Sequence, residues 1–255
     1  MLIIFVAGLC IGSFLNVAID RLPRGESIVK GRSRCDHCKH KLSWIDLIPI
    51  VSFFILGRRC RYCKKPISWQ YSLVELMTGI LFLFTYTFMI RFIEVREPLF
   101  YYLFYLAIVS GLIVIFFTDF KYRIIPDQVL FFIALITLVY SLILAPETLI
   151  NRLLSGLIMV IIFLILAVVT KGKGMGFGDV KLSFFMGLFL GFPKIIVAFY
   201  LAFLTGAAIS LILVLIGKKT MKSKIAFGPF LVYATVVSFF FGNQIWDLFK
   251  RVMGI

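Results

Sequence analysis

The sequence predicts an all-α polytopic membrane protein of about eight transmembrane helices, and three observations carry that prediction. Of its 255 residues, 62% are hydrophobic and only 39 carry formal charge, 27 Lys or Arg against 12 Asp or Glu. A soluble domain runs nearer about half apolar and a quarter charged. The mean hydropathy is +1.05 and there are 29 Phe, more apolar surface than one globular core can hide. The apolar residues also fall into runs close to the roughly 20 residues that a bilayer core demands of a helix. A soluble enzyme, a disordered tail and a disulfide-rich secreted module are excluded.

The runs follow in order. Residues 1–19 have no Lys or Arg before them and several after, the reverse of a cleavable signal, so they read as a retained helix with its N-terminus outside. Further spans are expected at 72–90, 99–118, 129–145, 149–170, 180–192, 195–216 and 225–246. The run at 180–192 is the weak one, since a helix of that length reaches only about 20 Å. The polar connections alternate in charge: 20–71, 119–128, 171–181 and 217–224 hold 21 Lys and Arg, the others six. That asymmetry places the first set in the cytoplasm. It also accounts for the net charge of +15 as a topology signal, with no nucleic-acid partner expected. The chain reads as free of internal repeats.

The longest polar stretch, residues 20–71, contains two pairs of the same spacing, Cys35-Asp-His-Cys38 and Cys60-Arg-Tyr-Cys63. Two residues between thiolates let both sulfurs of a tight turn reach one metal, and a second such turn completes a tetrahedral shell. The stretch is expected to be a small cytosolic module around structural Zn2+, with a cytoplasmic setting arguing against disulfides. His37 and His40 read as solvated loop residues. Cys10, alone in an apolar run, reads as a small packed hydrophobe.

Carboxylates are scarce, so each one near membrane depth needs a reason. Asp119 closes a helix, where the macrodipole disfavours negative charge, and Asp179 opens one, where it is favoured. If the two face each other they hold one proton between them, as aspartic hydrolases do, with Asp119 the proton carrier and Asp179 the base. On its own, Asp179 is also what an ordinary N-cap looks like. The stretch from Lys171 to Asp179 is glycine-rich, and Gly176 and Gly178 are expected to admit positive φ and a close substrate backbone. Asp127 reads as a helix cap. Glu75, about one turn inside its span, reads equally as a functional carboxylate or as the partner of a loop cation.

These residues resemble a known family, the type IV prepilin peptidases, membrane aspartic proteases of the GxGD class. The resemblance runs through Gly12-Ser-Phe-Leu-Asn16-Val17, Arg21-Leu-Pro23, both CxxC pairs, and Pro66 to Gly79 around Glu75. It continues through Thr118-Asp119, Ile125-Pro126-Asp127 and Gly176-Phe-Gly178-Asp179-Val-Lys181-Leu182. It implies removal of basic leader peptides from prepilin or pseudopilin precursors at the cytoplasmic face of a bacterial inner membrane. Asp119 and Asp179 match the catalytic pair, with Gly176, Gly178 and Glu75 assigned to substrate. The long, cysteine-bearing members also methylate the new N-terminus with S-adenosylmethionine. Arg59, before the third cysteine, matches the basic residue implicated there, although the glycine of that pattern stands one place earlier, at Gly57.

The organisation expected is an N-terminal domain over 1–98, a GxGD peptidase membrane domain over 99–217, and a basic loop with a last helix over 218–255. A basic leader would be repelled by the basic face, so substrate is expected to arrive laterally, the basic loops holding anionic lipid. The competing reading is an ion-coupled transporter using intramembrane carboxylates, which would want them near mid-bilayer. A scaffold displaying a zinc knuckle is a third, in which neither aspartate matters.

Overall fold

The computed structural model describes residues 1–92, 98–171, 175–218, 220 and 225–254. The glycine-rich residues 172–174, the junction at 93–97 and most of the basic loop at 219–224 therefore lie outside the described residues. The rest is helical, with no strand beyond two isolated bridges among the described residues. The helices are α1 (Leu2–Arg21), α2 (Val51–Ile55), α3 (Trp69–Phe92), α4 (Pro98–Tyr122), α5 (Asp127–Leu144), α6 (Pro146–Val169), α7 (Phe177–Leu190), α8 (Lys194–Leu215) and α9 (Gly228–Met253). Seven of them are long and apolar enough to cross a membrane; α2 and α7 are not among the seven. The chain is a multi-pass membrane protein that divides within α4 into two compact units, Met1–Val114 and Ile115–Ile255.

In the first unit α1 packs on α3 backbone to backbone. A Cβ on Gly8 would lie 2.7 Å from Gly79 Cα, and one on Gly12 would lie 2.7 Å from Glu75 Cα. Small residues one turn apart permit this approach, and dispersion between close backbones replaces the hydrophobic drive that lipid cannot supply. Cys10, on the same helix, is exposed and does not pack inside the unit as the sequence suggests, because the packed face belongs to Gly8 and Gly12.

In the second unit α7 is the core. Ten of its 14 residues are buried, Leu182, Phe185 and Met186 completely. At about 21 Å it is too short to cross a bilayer unaided, but α5, α6 and α9 pack around it. A Cβ at Gly187 would collide with the Gly156 backbone of α6. Protein rather than lipid covers α7, so its ends need not reach the headgroups. Asp127 is not the cap that its sequence setting suggests. Pro126 stands at the N-cap of α5, and both Asp127 oxygens accept from Lys181 Nζ at 2.8 Å, joining the starts of α5 and α7.

Candidate functional site

The cysteine module is assembled from two copies of one turn. Arg34-Cys35-x-x-Cys38-Lys39 and Ser43-Trp44 recur in the same register as Arg59-Cys60-x-x-Cys63-Lys64 and Ser68-Trp69. The reading of the chain as repeat-free is thus corrected; the repeat is short and is hidden by the dissimilar residues between its anchors. Its geometry repeats as well. Cys35 and Cys60 donate their N–H to the carbonyls of His40 and Lys65 at 3.0 and 2.9 Å, and Lys39 and Lys64 take φ of 57° and 59°. The copies brace each other reciprocally. Arg61 of the second turn donates to Asp46, which follows the first turn, at 2.7 Å. Tyr71, at the position equivalent to Asp46 after the second turn, donates to Asp36 of the first at 3.0 Å. Tyr71 also lies 2.8 Å from Asp20 at the end of α1, which ties the module to the first unit's helices.

The four sulfurs lie within 4.8 Å of one another, Cys35 and Cys63 at 3.8 Å. Four thiolates at about 2.3 Å from a tetrahedral zinc are roughly 3.8 Å apart, so this donor set fits Zn2+. His37 and His40 are exposed and outside the cluster, as expected. Burial opposes ionisation of Cys35, yet the backbone N–H groups of Cys38 and His37 bring its thiol down to about 7. The N–H of Lys65 favours a Cys63 thiolate, but desolvation and the neighbouring sulfurs push that thiol up to about 11. The metal's charge supplies what the last thiolate needs to form.

Asp46 is the keystone of the brace. Its side chain is 3% exposed and accepts from Ser43, Arg61 and Tyr62. Burial opposes its charge, but these donors hold the carboxyl below the usual range. A depressed carboxylate contributes stability above its unfolded value and loses it as pH falls through the folded one. Asp46→Ala is expected to weaken the module by about 1–3 kcal/mol at neutral pH, read as faster zinc loss to a chelator.

Glu75 is 7% exposed, and its Oε2 accepts the Ile50 N–H at 2.7 Å. Its partner is therefore a backbone N–H and not the loop cation that the sequence also offers. Ile50 has φ of 61°, a costly conformation for a β-branched residue. The glutamate holds that strained residue at the start of α2. Arg59 is exposed, its backbone fixed by the bridge to Pro66.

The two aspartates both lie in the second unit. Asp119, 6% exposed, sits in the last turn of α4. Asp179, 8% exposed, is the third residue of α7 rather than its cap. Gly176 stands at the N-cap and donates its N–H to Asp179 Oδ2 at 3.0 Å. That is one limb of a capping box, and a glycine has no side chain for the other. The charge of Asp119 is felt at Asp179, so the carboxyls are within electrostatic reach. Asp119 Oδ2 is buried with no hydrogen-bond partner among the described residues. Neither Gly176 nor Gly178 takes a positive φ. A Cβ at Gly178 would lie 3.3 Å from Ile125, closer than ordinary contact, whereas one at Gly176 would meet Asp179 Oδ2 at an ordinary 3.6 Å.

Comparison with known proteins finds two family models matched in order along the chain. Residues 6–89 match the model of the bacterial peptidase A24 N-terminal domain, and residues 106–211 that of the type IV leader peptidase family. A Bacillus subtilis protein named prepilin leader peptidase/N-methyltransferase is 30% identical over 251 residues, 98% of each chain. Its namesake from Aeromonas hydrophila is 28% identical over 271 residues, 95% of this chain and 91% of the relative. A third, from Myxococcus xanthus, is 57% identical over 79 residues, 31% of this chain and 24% of the relative. No solved structure matches. With close-to-complete coverage by a relative at this identity, and both halves matched in order, the chain belongs to the type IV leader peptidase family.

Proposed function

We propose that this protein removes basic leader peptides from prepilin-like precursors at the cytoplasmic membrane face, and then N-methylates the new N-terminus. The observation that carries the proteolytic half is the pair of buried carboxyls, Asp119 and Asp179, brought within electrostatic reach from the end of α4 and the start of α7. One proton serves both. The ionised member takes a proton from water as its oxygen attacks the scissile carbonyl carbon, and the protonated member gives its proton to the departing amine as the C–N bond breaks. Asp179, accepting an N–H at the start of α7, and Asp119, in the last turn of α4, divide the base and acid roles between them. Gly176 and Gly178 keep the rim of α7 low enough for an extended substrate backbone. Glu75 acts on substrate indirectly, by holding the segment that begins α2.

The methyl-transfer half rests on the relatives' names and on the braced cysteine module. S-adenosylmethionine supplies an electrophilic methyl group; the chain's task is to present a neutral amine and hold the donor's carboxylate. Arg59 is exposed on a rigid turn and no hydrogen bond or ion pair engages its guanidinium among the described residues, which suits that pairing. Cys35, Cys38, Cys60 and Cys63 would hold zinc, which would keep the turn folded and leave no open position for chemistry. The transporter reading is disfavoured because these carboxyls stand at helix ends rather than mid-helix. A cleavage assay on a membrane-embedded prepilin-like peptide, with Asp119→Asn and Asp179→Asn and with or without S-adenosylmethionine, tests both halves; a carrier would lose transport and show no cleavage to lose.

Substrate enters from the bilayer, and the basic loops hold anionic lipid, not the leader. Raising salt from about 0.05 to 0.5 M, which shortens the Debye length about threefold, is expected to change cleavage of embedded substrate less than twofold. A collapse of cleavage with the fold intact would favour electrostatic capture instead.

A further inference from the structure

The first turn of α9 has no part in the mechanism above, yet it touches a reacting group. Gly228 opens that helix, with Phe227 at its N-cap and Pro229 following. A Cβ built on Gly228 would lie 2.6 Å from Asp119 Oδ2, 3.0 Å from Cγ and 3.3 Å from Cβ. The carboxyl is therefore seated directly on the α-carbon of Gly228, in space that any other residue would fill. Two further facts give the seat a direction. The Gly228 N–H acts on the Asp119 carboxyl, and Pro229 has no N–H to offer, so the positive end of α9 is presented through Gly228. Asp119 Oδ2 is nonetheless buried without a hydrogen-bond partner among the described residues, so at that oxygen the α-carbon contact limits where it can lie. The start of α9 is itself held: Phe227 packs on Phe203 and Phe230 with ring centroids 5.1 and 6.2 Å apart, and lies 3.2 Å from a Cβ placed on Gly206 of α8.

We propose that Gly228 is a positioning residue for proteolysis: its bare α-carbon seats the Asp119 carboxyl against the start of α9 and so fixes it in the orientation that faces Asp179. The inference rests on the dyad reading and deepens it. Its physical content is that an added methyl group meets a side-chain end rather than backbone, and a side-chain end can rotate. The helices stay where they are and the carboxyl moves. A displacement of about 1 Å at a reacting group costs on the order of 10²-fold in rate.

The test compares Gly228→Ala with Asp119→Asn in the full-length protein, reconstituted in vesicles with a prepilin-like peptide. Gly228→Ala is expected to lower kcat for cleavage about 10²-fold while KM stays within about twofold. Methylation of an already cleaved peptide, an activity the seat does not serve, should be unchanged. A kcat within about twofold of native would overturn the proposal, as would equal loss of cleavage and methylation. If Asp119→Asn itself cleaves normally, the dyad reading fails first; if it is dead while Gly228→Ala is normal, only the seat fails. Should Gly228→Ala melt early, the double variant with Asp119→Ala decides, because two neighbours that clash are non-additive. Removing the carboxyl should restore the melting temperature to that of Asp119→Ala alone, and failure to restore it would make Gly228 a packing residue and sink the proposal.

Discussion

Asp119→Asn and Asp179→Asn are each expected to lower kcat for leader cleavage about 10⁴-fold, at the upper end of what one acid–base group contributes. Asparagine keeps the volume of the side chain, and at position 179 its amide oxygen can still accept the Gly176 N–H, so α7 should start where it starts now. What is lost is the ability to exchange a proton with water or with the leaving amine. KM should move little, because neither carboxyl is assigned to leader recognition, and a loss confined to kcat marks an interaction made only in the transition state. The double variant should be about as inactive as either single one, since groups acting as a unit are not additive. Methylation of a pre-cleaved peptide is the internal control and should persist in all three. Residual cleavage above about a tenth of native in either single variant would show that the pair does not share the chemistry.

Removal of zinc should divide the two activities the other way. Cys60 is 3% exposed, and Cys60→Ser replaces a soft thiolate with a hydroxyl that holds zinc poorly. Structural zinc contributes about 10–16 kcal/mol to small metal-dependent folds, far more than Asp46 or the Tyr71 brace supplies. The paired turns should therefore unravel, with Arg59 losing its fixed backbone. Methyl transfer is expected to fall by about 10²-fold or more, as seen when the outer support of a site is removed. Leader cleavage, whose aspartates lie in the second unit, should fall less than about tenfold. Chelation followed by zinc should restore methylation in the native protein and not in Cys60→Ser. Equal loss of both activities would mean that the module serves the whole chain rather than one reaction.

Much of the architecture is legible because lipid enforces it. Apolar runs of bilayer length, the surplus of Lys and Arg in alternate connections, and two CxxC turns each have one inexpensive explanation, and the helices and the sulfur cluster follow it. The run at 180–192 stands out as too short, and α7 is indeed short. The misses share a cause. Asp127 reads as a cap but accepts from Lys181. Beside their functional readings the sequence also allows Glu75 a loop cation and Asp179 a cap, whereas the partners are the strained Ile50 N–H and the Gly176 N–H. The repeat around Arg34 and Arg59 can be found by aligning the loop on itself. The reciprocal bonds of Arg61 to Asp46 and Tyr71 to Asp36 cannot.

By itself the sequence determined which segments must be helical, which face the membrane and which four sulfurs can share a metal, because solvation and ligand chemistry depend on residue type and spacing. Only the tertiary structure decided what lies against a given carboxyl. It brought Gly228 of the last helix onto Asp119 at the end of α4, and it put Gly156 against Gly187 so that α7 is covered by its neighbours. Such contacts depend on backbones approaching within about 3 Å, and the absence of a side chain leaves no periodicity or charge in the sequence by which to foresee them.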